Sequence, residues 1–444
     1  MYLYRPISML AAIVLLIVQP VQSQAADSAQ IFTLTEIWKV AAAYNRQLKL
    51  SDLDLKEADI AVLEAKDRLL PEISVGGDFK HNSKFLIYDN GLFSSPENVA
   101  VSNFGYGVGY NFNLNLYSGG TEKRTVKMKR EQQTRTQYEF DLQKDNVKYT
   151  IAVVYCDLYK FLQFRDFISA EITAQKKQLK LIEDLHKNGI VLKSDVLRAS
   201  VKLSQLQLKL SDTEKKIEIV KQRLNLLMGR REDMPIEIPY QESLAAESHQ
   251  ESDYQDYVDI AVHQSPDYRI TLSDVKLEQI NIKQVKSTLL PKISLYANYN
   301  YTYPQISFYP YSDALWGFGQ LGLRLQFSVD NLYKIRHAIQ HVRNKADQQK
   351  EKANIKKDEI TMQVKQAYLQ QQQAKESLQV AEENIIRSTE TVRVIKNSYL
   401  NQQSLLTDLL EAENLLLEAK FDVTTAEVNL KLSQIRLLVI IGLL

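Results

Sequence analysis

Two histidines form the one pattern of candidate metal ligands in this sequence. His337 and His341 lie four positions apart, so on a helix they would project from one face. Such a pair can supply two ligands to a transition metal, but no glutamate completes a His-Glu-x-x-His motif. We therefore expect two exposed polar side chains and no metal site.

Other candidate chemistry is equally weak. Gly105, Gly107 and Gly109 alternate within a strand-like segment, whereas phosphate-binding glycines precede a helix. The 55 Lys and Arg residues balance 54 Asp and Glu residues, which argues against a nucleic-acid partner. Cys156 is the single cysteine, so no disulfide can form within the chain. We predict no enzymatic activity, no catalytic residues and no cofactor.

The elements that would position functional residues occur twice. Gly229 corresponds to Gly442, an offset of 213 positions (442 − 229). The same offset aligns residues 119–229 with a second copy without a gap. A constant length over such a distance is expected of a rigid rod, and it predicts an internal tandem repeat. Matching pairs include Arg130 and Arg343, Lys144-Asp145 and Lys357-Asp358, Asn188 and Asn401, Leu192 and Leu405, and Asp195 and Asp408.

Each copy has the composition of long helices. Neither residues 121–187 nor residues 332–403 contain Pro or Gly, the residues that interrupt helices. Two apolar rows at heptad spacing predict a coiled-coil seam, and the remaining positions are rich in Gln, Lys and Glu. In the second copy the rows are Val364, Leu378, Ile385, Val392 and Tyr399, and Ile360, Ala367, Ala374, Ala381 and Ile395.

Shorter helices are predicted on either side of these rods. One runs from Leu34 to Leu69 before Pro71, and its counterpart runs from Tyr254 to Leu289 before Pro291. After the break at Asn188-Gly189, another helix of similar length is expected to return along the long one. At 1.5 Å per residue, two such half-length helices placed end to end match one full-length helix, so we expect their ends to meet.

Four segments of about ten residues alternate between apolar and polar side chains. They follow Pro71 and Pro291 and precede the two long helices. This pattern predicts either transmembrane β-strands or half-buried strands of a soluble sheet, and the absence of an apolar helix favours the membrane. Four strands cannot close a barrel, so the chain must associate in two or three copies.

The N-terminus is typical of a secretory signal peptide. Arg5 supplies positive charge, residues 9–18 are apolar, and Ser23-Gln24-Ala25 resembles a cleavage site. No cysteine follows that site, so we expect export without a lipid anchor. The predicted divisions are a leader, 1–25; a first repeat, 26–229, with a β-hairpin at 72–117; a linker, 230–253; and a second repeat, 254–444, with a β-hairpin at 292–329.

These features resemble the TolC family of outer-membrane channel proteins over essentially the whole mature chain. The resemblance lies in the paired Leu-Leu-Pro motifs, the turn Leu116-Tyr117-Ser118-Gly119-Gly120 and the two tip sequences near residues 188 and 401. It implies a homotrimer with a twelve-stranded transmembrane β-barrel continuous with a periplasmic α-helical barrel. It also implies contact with outer-membrane lipid, a periplasmic adaptor and an inner-membrane transporter, in efflux or type I secretion.

The resemblance also assigns roles to residues at the helical tips. Asp408 and Glu411 match the acidic ring that forms the pore gate, whereas the first copy has Asp195 and Arg198. The alternative is that Asp408 only caps the returning helix. The residues expected to dock the adaptor are Asn188, Gly189, Ser194, Asp195, Asn401, Gln402 and Thr407.

A protein of another class would share part of this pattern. A periplasmic coiled-coil adaptor without a pore would also have a signal peptide and helical hairpins. It would not need four amphipathic strands of membrane-spanning length, and these strands favour the channel.

Overall fold

The computed structural model describes residues 30–239 and 253–444. The predicted signal peptide and the middle of the predicted linker lie outside the described residues. The elements are β1 (Gln30–Ile31), α1 (Leu34–Tyr44), α2 (Arg46–Asp67), β2 (Glu72–His81), β3 (Phe85–Ile87), β4 (Glu97–Val99), β5 (Phe104–Ser118), α3 (Thr121–Lys187), α4 (Lys193–Leu227), β6 (Ile236–Glu237), α5 (Tyr254–Gln264), α6 (Pro266–Lys286), β7 (Lys292–Tyr303), β8 (Trp316–Gln326), α7 (Asn331–Leu400) and α8 (Leu406–Ile441).

The four predicted strands form one antiparallel sheet in the order β2-β5-β7-β8. Each hairpin pairs internally, and β5 pairs with β7 to join the two halves of the chain, for example Tyr110 opposite Tyr299. The register places most of the apolar side chains on one face and Asn111, Asn298 and Gln320 side by side on the other. Trp316 and Phe318, at the start of β8, are exceptions that share the polar face with Gln320. The predicted alternation is therefore confirmed.

Within residues 30–239 and 253–444, no layer of the chain covers the apolar face of this sheet. Val75 is 77% exposed and Leu321 is 75% exposed, although both side chains are aliphatic. A half-buried strand of a soluble sheet would pack these residues against a core. Their exposure instead fits contact with lipid, which is the interpretation that the sequence favoured.

The long helices extend away from the sheet. α3 contains 67 residues and α7 contains 70, so each reaches roughly 100 Å at 1.5 Å per residue. The returning helices α4 and α8, with 35 and 36 residues, are about half as long. Within residues 30–239 and 253–444, no helix combines the length and apolar composition needed to cross a membrane.

The prediction of one unbroken helix from Leu34 to Leu69 is wrong. The backbone of Asn45 is extended, and its side-chain oxygen accepts hydrogen bonds from the amides of Gln47 and Leu48. These bonds satisfy donors at the start of α2, so a new helix begins there. The counterpart helix also breaks, at Ser265, because Pro266 has no amide hydrogen and is favoured in the first turn of a helix.

These breaks occur where the half-length helices meet. The Asn45 Nδ2 atom donates to the carbonyl oxygen of Leu227 at 2.7 Å, which connects the start of α2 to the end of α4. In the second half, Gly442 at the end of α8 lies against the carbonyl of Gln264 and the ring of Pro266. The predicted end-to-end meeting of half-length helices is confirmed in both halves.

The largest hydrophobic core surrounds the first of these junctions. Ile37 of α1, Leu158 of α3 and Leu224 of α4 are fully buried there. Ile236 of β6 completes the same cluster, and β6 pairs in parallel with β1. This packing stabilises the middle of the rod, while smaller clusters follow the helices toward their far end.

The two turns at the far end differ in one backbone position. Gly189 follows α3 with φ +70°, whereas the matching residue after α7 is Gln402, with φ 61°. A left-handed conformation costs a residue with a Cβ atom about 1 kcal/mol. The first turn avoids this cost with glycine, and the second does not.

We predict that Gly189→Ala lowers the free energy of local opening at the first tip by about 1 kcal/mol, because alanine introduces that strain. Gln402→Ala is the matched control, since a Cβ atom is already present there. Amide hydrogen exchange of residues 185–195 and 398–408 measures both effects. Equal changes in the two variants would contradict the proposed origin of the strain.

Candidate functional site at the helical tip

The far end of the rod is built from two helical hairpins. α3 and α4 form one hairpin, and α7 and α8 form the other. Ile182 of α3, Ala199 of α4 and Leu406 and Leu410 of α8 form a shared buried cluster. This packing brings the two predicted tip sequences to the same end of the molecule.

The predicted docking residues lie on the surface of this tip. Asn188, Gly189, Ser194, Asn401 and Gln402 are exposed, and Asp195 and Thr407 are half-buried. The side-chain amide of Asn188 donates to the carbonyl of Asp184, which closes the last turn of α3.

Sequence reasoning missed the apolar side chains of the tip surface. Leu192 is 72% exposed, Leu405 is 69% exposed, and neither is covered in the single chain. Aliphatic side chains between polar turn residues were the signal available in the sequence. Others that share this exposure are Ile190, Leu197 and Leu400.

The two predicted gate residues occupy one exposed face of α8. The backbone amide of Leu405 donates to the carboxylate of Asp408 at 3.0 Å, so Asp408 caps the helix. Glu411 lies one turn further along and is also exposed. Capping was the alternative considered for Asp408, and the residue remains exposed while its carboxylate caps the helix.

A buried polar layer lies behind the tip, between two hydrophobic clusters. Gln175 of α3 is 1% exposed and donates to the carboxylate of Glu413 at 2.5 Å and to that of Glu171 at 3.1 Å. Lys202 of α4 donates to Asn414 of α8. These contacts join α3 and α4 to α8 through polar groups rather than apolar packing.

The same layer shifts the titration of its charged groups. Burial raises the pKa of Glu413 to about 7, while the hydrogen bond from Gln175 opposes that shift and the Glu171 carboxylate adds to it. Burial also lowers the pKa of Lys202, against the attraction of nearby carboxylates. The sequence signal for this layer was a polar residue, Gln175, at a seam position between Ile172 and Ile182.

We predict that the Glu413 carboxyl makes the tip more stable at low pH. Its pKa is raised by folding, so the neutral form contributes full stability below about pH 4.5. This contribution is lost as the pH rises through about 7. Glu413→Gln should therefore change stability only slightly at pH 5 and raise it at pH 8, by on the order of 2 kcal/mol.

Hydrogen exchange across the α3–α8 contact, recorded between pH 5 and pH 8 with correction for intrinsic exchange, measures this difference. Glu411→Gln is the control, because it removes an exposed carboxylate from the same helix. A wild-type tip whose opening free energy does not change over this pH range would contradict the role given to Glu413.

A lipid-facing antiparallel sheet joined to rods of roughly 100 Å defines an outer-membrane channel with a periplasmic helical extension. The sequence profile of the family described as outer membrane efflux protein matches residues 38–230 and 258–443. The chain therefore belongs to the outer membrane efflux protein family. Members of this family are transport conduits, and the protein lies in the outer membrane and extends into the periplasm.

Solved structures of outer-membrane channels share the fold. The outer-membrane channel OprN matches with a TM-score of 0.77 and 16% identity, over 92% of this chain and 89% of OprN. VceC of Vibrio cholerae matches with a TM-score of 0.75 and 14% identity, over 92% of this chain and 96% of VceC. MtrE of Neisseria gonorrhoeae matches with a TM-score of 0.74 and 14% identity, over 92% and 89%. No curated protein sequence matches the chain.

The family and these structures decide between the two functions considered from the sequence. The protein serves as an exit duct for efflux, as predicted. The alternative, a periplasmic adaptor without a pore, has no support from them.

Proposed function

We propose that three copies of this chain form a closed, twelve-stranded barrel in the outer membrane. The observation that carries the proposal is the open sheet: within the described residues, β2 and β8 each pair on one side only. Unpaired backbone groups in lipid cost several kcal/mol each, so these edges require partners. A second copy of the same sheet supplies them.

The strand directions permit this closure. Adjacent strands of β2-β5-β7-β8 are antiparallel, so β8 of one copy runs opposite to β2 of the next. The two edge strands contain 10 and 11 residues, which are matched lengths suitable for a membrane. Every strand in the ring then has two antiparallel neighbours.

Three copies fit a conduit better than two. An eight-stranded barrel has an interior just wide enough for its own side chains, whereas a larger one leaves room for water or cargo. The face lined by Asn111, Asn298 and Gln320 would then surround the lumen. Below the membrane, the long and half-length helices of three copies would continue the duct as an α-helical barrel.

At its far end this duct would meet a periplasmic adaptor, with an inner-membrane transporter supplying the energy. The exposed aliphatic residues Leu192, Leu197 and Leu405 support this, because they lie among the turn residues expected to dock. Apolar side chains surrounded by polar groups are typical of protein interfaces. The duct itself would be passive and would serve efflux or type I secretion.

The acidic pair Asp408 and Glu411 would form the gate of this duct. Both side chains are exposed in the single chain and lie on one face of α8. Three-fold symmetry would gather six carboxylates at the tip, a charge arrangement that attracts cations. In the first repeat the matching face has Asp195 with Arg198, so its charges partly cancel.

We expect the mature protein to be extracted by detergent as a complex of three chains, because only closure pairs β2 and β8. Native mass spectrometry from detergent micelles measures the number of chains. A stable monomer or dimer that still conducts ions in planar bilayers would overturn the twelve-stranded arrangement.

We predict that replacing both Asp408 and Glu411 with Ala lowers the cation-to-anion permeability ratio in planar bilayers by about twofold or more, because the acidic ring is lost. Asp195→Ala, at the tip of the first repeat, is the control and should change the ratio less. Unchanged selectivity in a correctly assembled double variant would leave Asp408 as a helix cap and Glu411 as a solvated surface residue.

A further inference from the structure

The helices that leave the sheet begin with a high density of positive charge. In residues 121–130, the start of α3, five residues are Lys or Arg and only Glu122 is acidic. In residues 331–346, the start of α7, there are four Lys or Arg residues and no acid. The whole chain has a formal net charge of only +1, so this excess is local.

Three of these five cations of α3 line a groove of about 450 Å³. Lys123, Lys127 and Arg130 form its basic side and recur at the spacing of one helical face. The neighbouring helices contact other faces of α3: Gln133 donates to Asp59 of α2, and Arg135 donates to Asp274 of α6. Lys123, Lys127 and Arg130 are exposed, whereas Glu131, which also lines the groove, pairs with Lys276 of α6 at 3.6 Å.

The second groove beside α3 differs from the first in net charge. It has a volume of about 550 Å³, lies between α2, α3 and α6, and contains charged groups of both signs, namely Asp54, Glu57, Lys129, Arg135, Glu139 and Asp274. Carboxylates outnumber cations there, whereas in the first groove three cations accompany a single carboxylate, that of Glu131. The net charge is therefore positive along the first groove and negative along the second.

Exposed apolar residues at the start of α7 indicate what the basic face of this helix contacts. Leu332 is 58% exposed and Tyr333 is 70% exposed, and they continue the exposed apolar series of β8. An exposed tyrosine at the end of an apolar band is typical of the membrane–water interface. Arg336 and Arg343 follow Leu332 on the same face at helical spacing, and both are exposed.

The distance of the basic groove from the end of the sheet also matches the expected position of the leaflet surface. α3 begins three residues after β5 ends, so Lys123 to Arg130 lie roughly 3 to 14 Å along its axis. This distance covers the headgroup region and about one Debye length beyond it. Cations within that range are attracted to anionic headgroups by about 1 kcal/mol each, roughly fivefold in affinity.

We propose that the groove of Lys123, Lys127 and Arg130, together with Arg336 and Arg343, binds phosphate-bearing lipid headgroups of the leaflet that faces the periplasm. Bound lipid would set the depth of the barrel in the membrane. The inference rests on the proposed trimeric barrel, which places the ends of the strands at the leaflet surface.

The test is native mass spectrometry of the detergent-solubilised full-length protein, titrated with phosphatidylglycerol or phosphatidylcholine. Wild-type protein should retain phosphatidylglycerol at least tenfold better, and 1 M NaCl should reduce that preference because the contact is ionic. Replacing Lys123, Lys127 and Arg130 with Gln should lower retention by about a hundredfold, because three losses of roughly fivefold each multiply. Arg336→Gln with Arg343→Gln should lower it as well.

The matched control removes three exposed cations from the same helix far from the membrane, with Lys176→Gln, Lys177→Gln and Lys180→Gln, and should retain lipid as wild type does. The proposal would be overturned by equal retention of both lipids or by an equal loss of lipid in the control variant. It would also be overturned if inorganic phosphate at equal concentration displaced the lipid. Preferential retention of an anionic polymer such as polyglutamate over phosphatidylglycerol would do the same. The chain count in the same spectra separates a failure of assembly from a failure of lipid binding.

Discussion

Backbone hydrogen bonding is the constraint on which the rest of this architecture depends. In lipid, every backbone amide and carbonyl must have a hydrogen-bond partner in the protein, so a four-stranded sheet with two unpaired edges is incomplete. The helices α2, α3, α6 and α7 inherit this requirement, because each begins or ends a few residues from a strand of that sheet. Closing the ring of strands would therefore bring the helices of separate copies side by side as well.

Periodicity explains how much of the fold could be predicted from the sequence. The strands alternate over their whole length and the long helices lack Pro and Gly, so both signals were strong. The break at Asn45 was missed because one side chain capped a helix within an otherwise helical segment. Pro266 was a visible signal for the matching break, whereas the short pair of β3 and β4 had no periodicity long enough to detect.

The tip shows why residues at a site are harder to predict than the elements that carry them. Spacing placed Asp408 and Glu411 on one face, but the gate role proposed for them requires further copies of the chain, whose arrangement a single sequence does not give. The exposed leucines of the tip were passed over because an isolated apolar residue is common on protein surfaces. Glu413 was missed for another reason: its unusual titration arises from burial against α3, a contact distant in sequence.

The buried polar layer has a further consequence, for the axial register of the two hairpins. Apolar seams of similar residues can slide by a whole turn at little cost, because leucine and isoleucine contacts are interchangeable. Here Gln175 and Lys202 lie between two apolar clusters and face Glu413 and Asn414. Sliding α8 by one turn would place Leu409 or Leu417 opposite Gln175 in place of Glu413, so the layer favours a single alignment, as a buried asparagine does in a coiled coil.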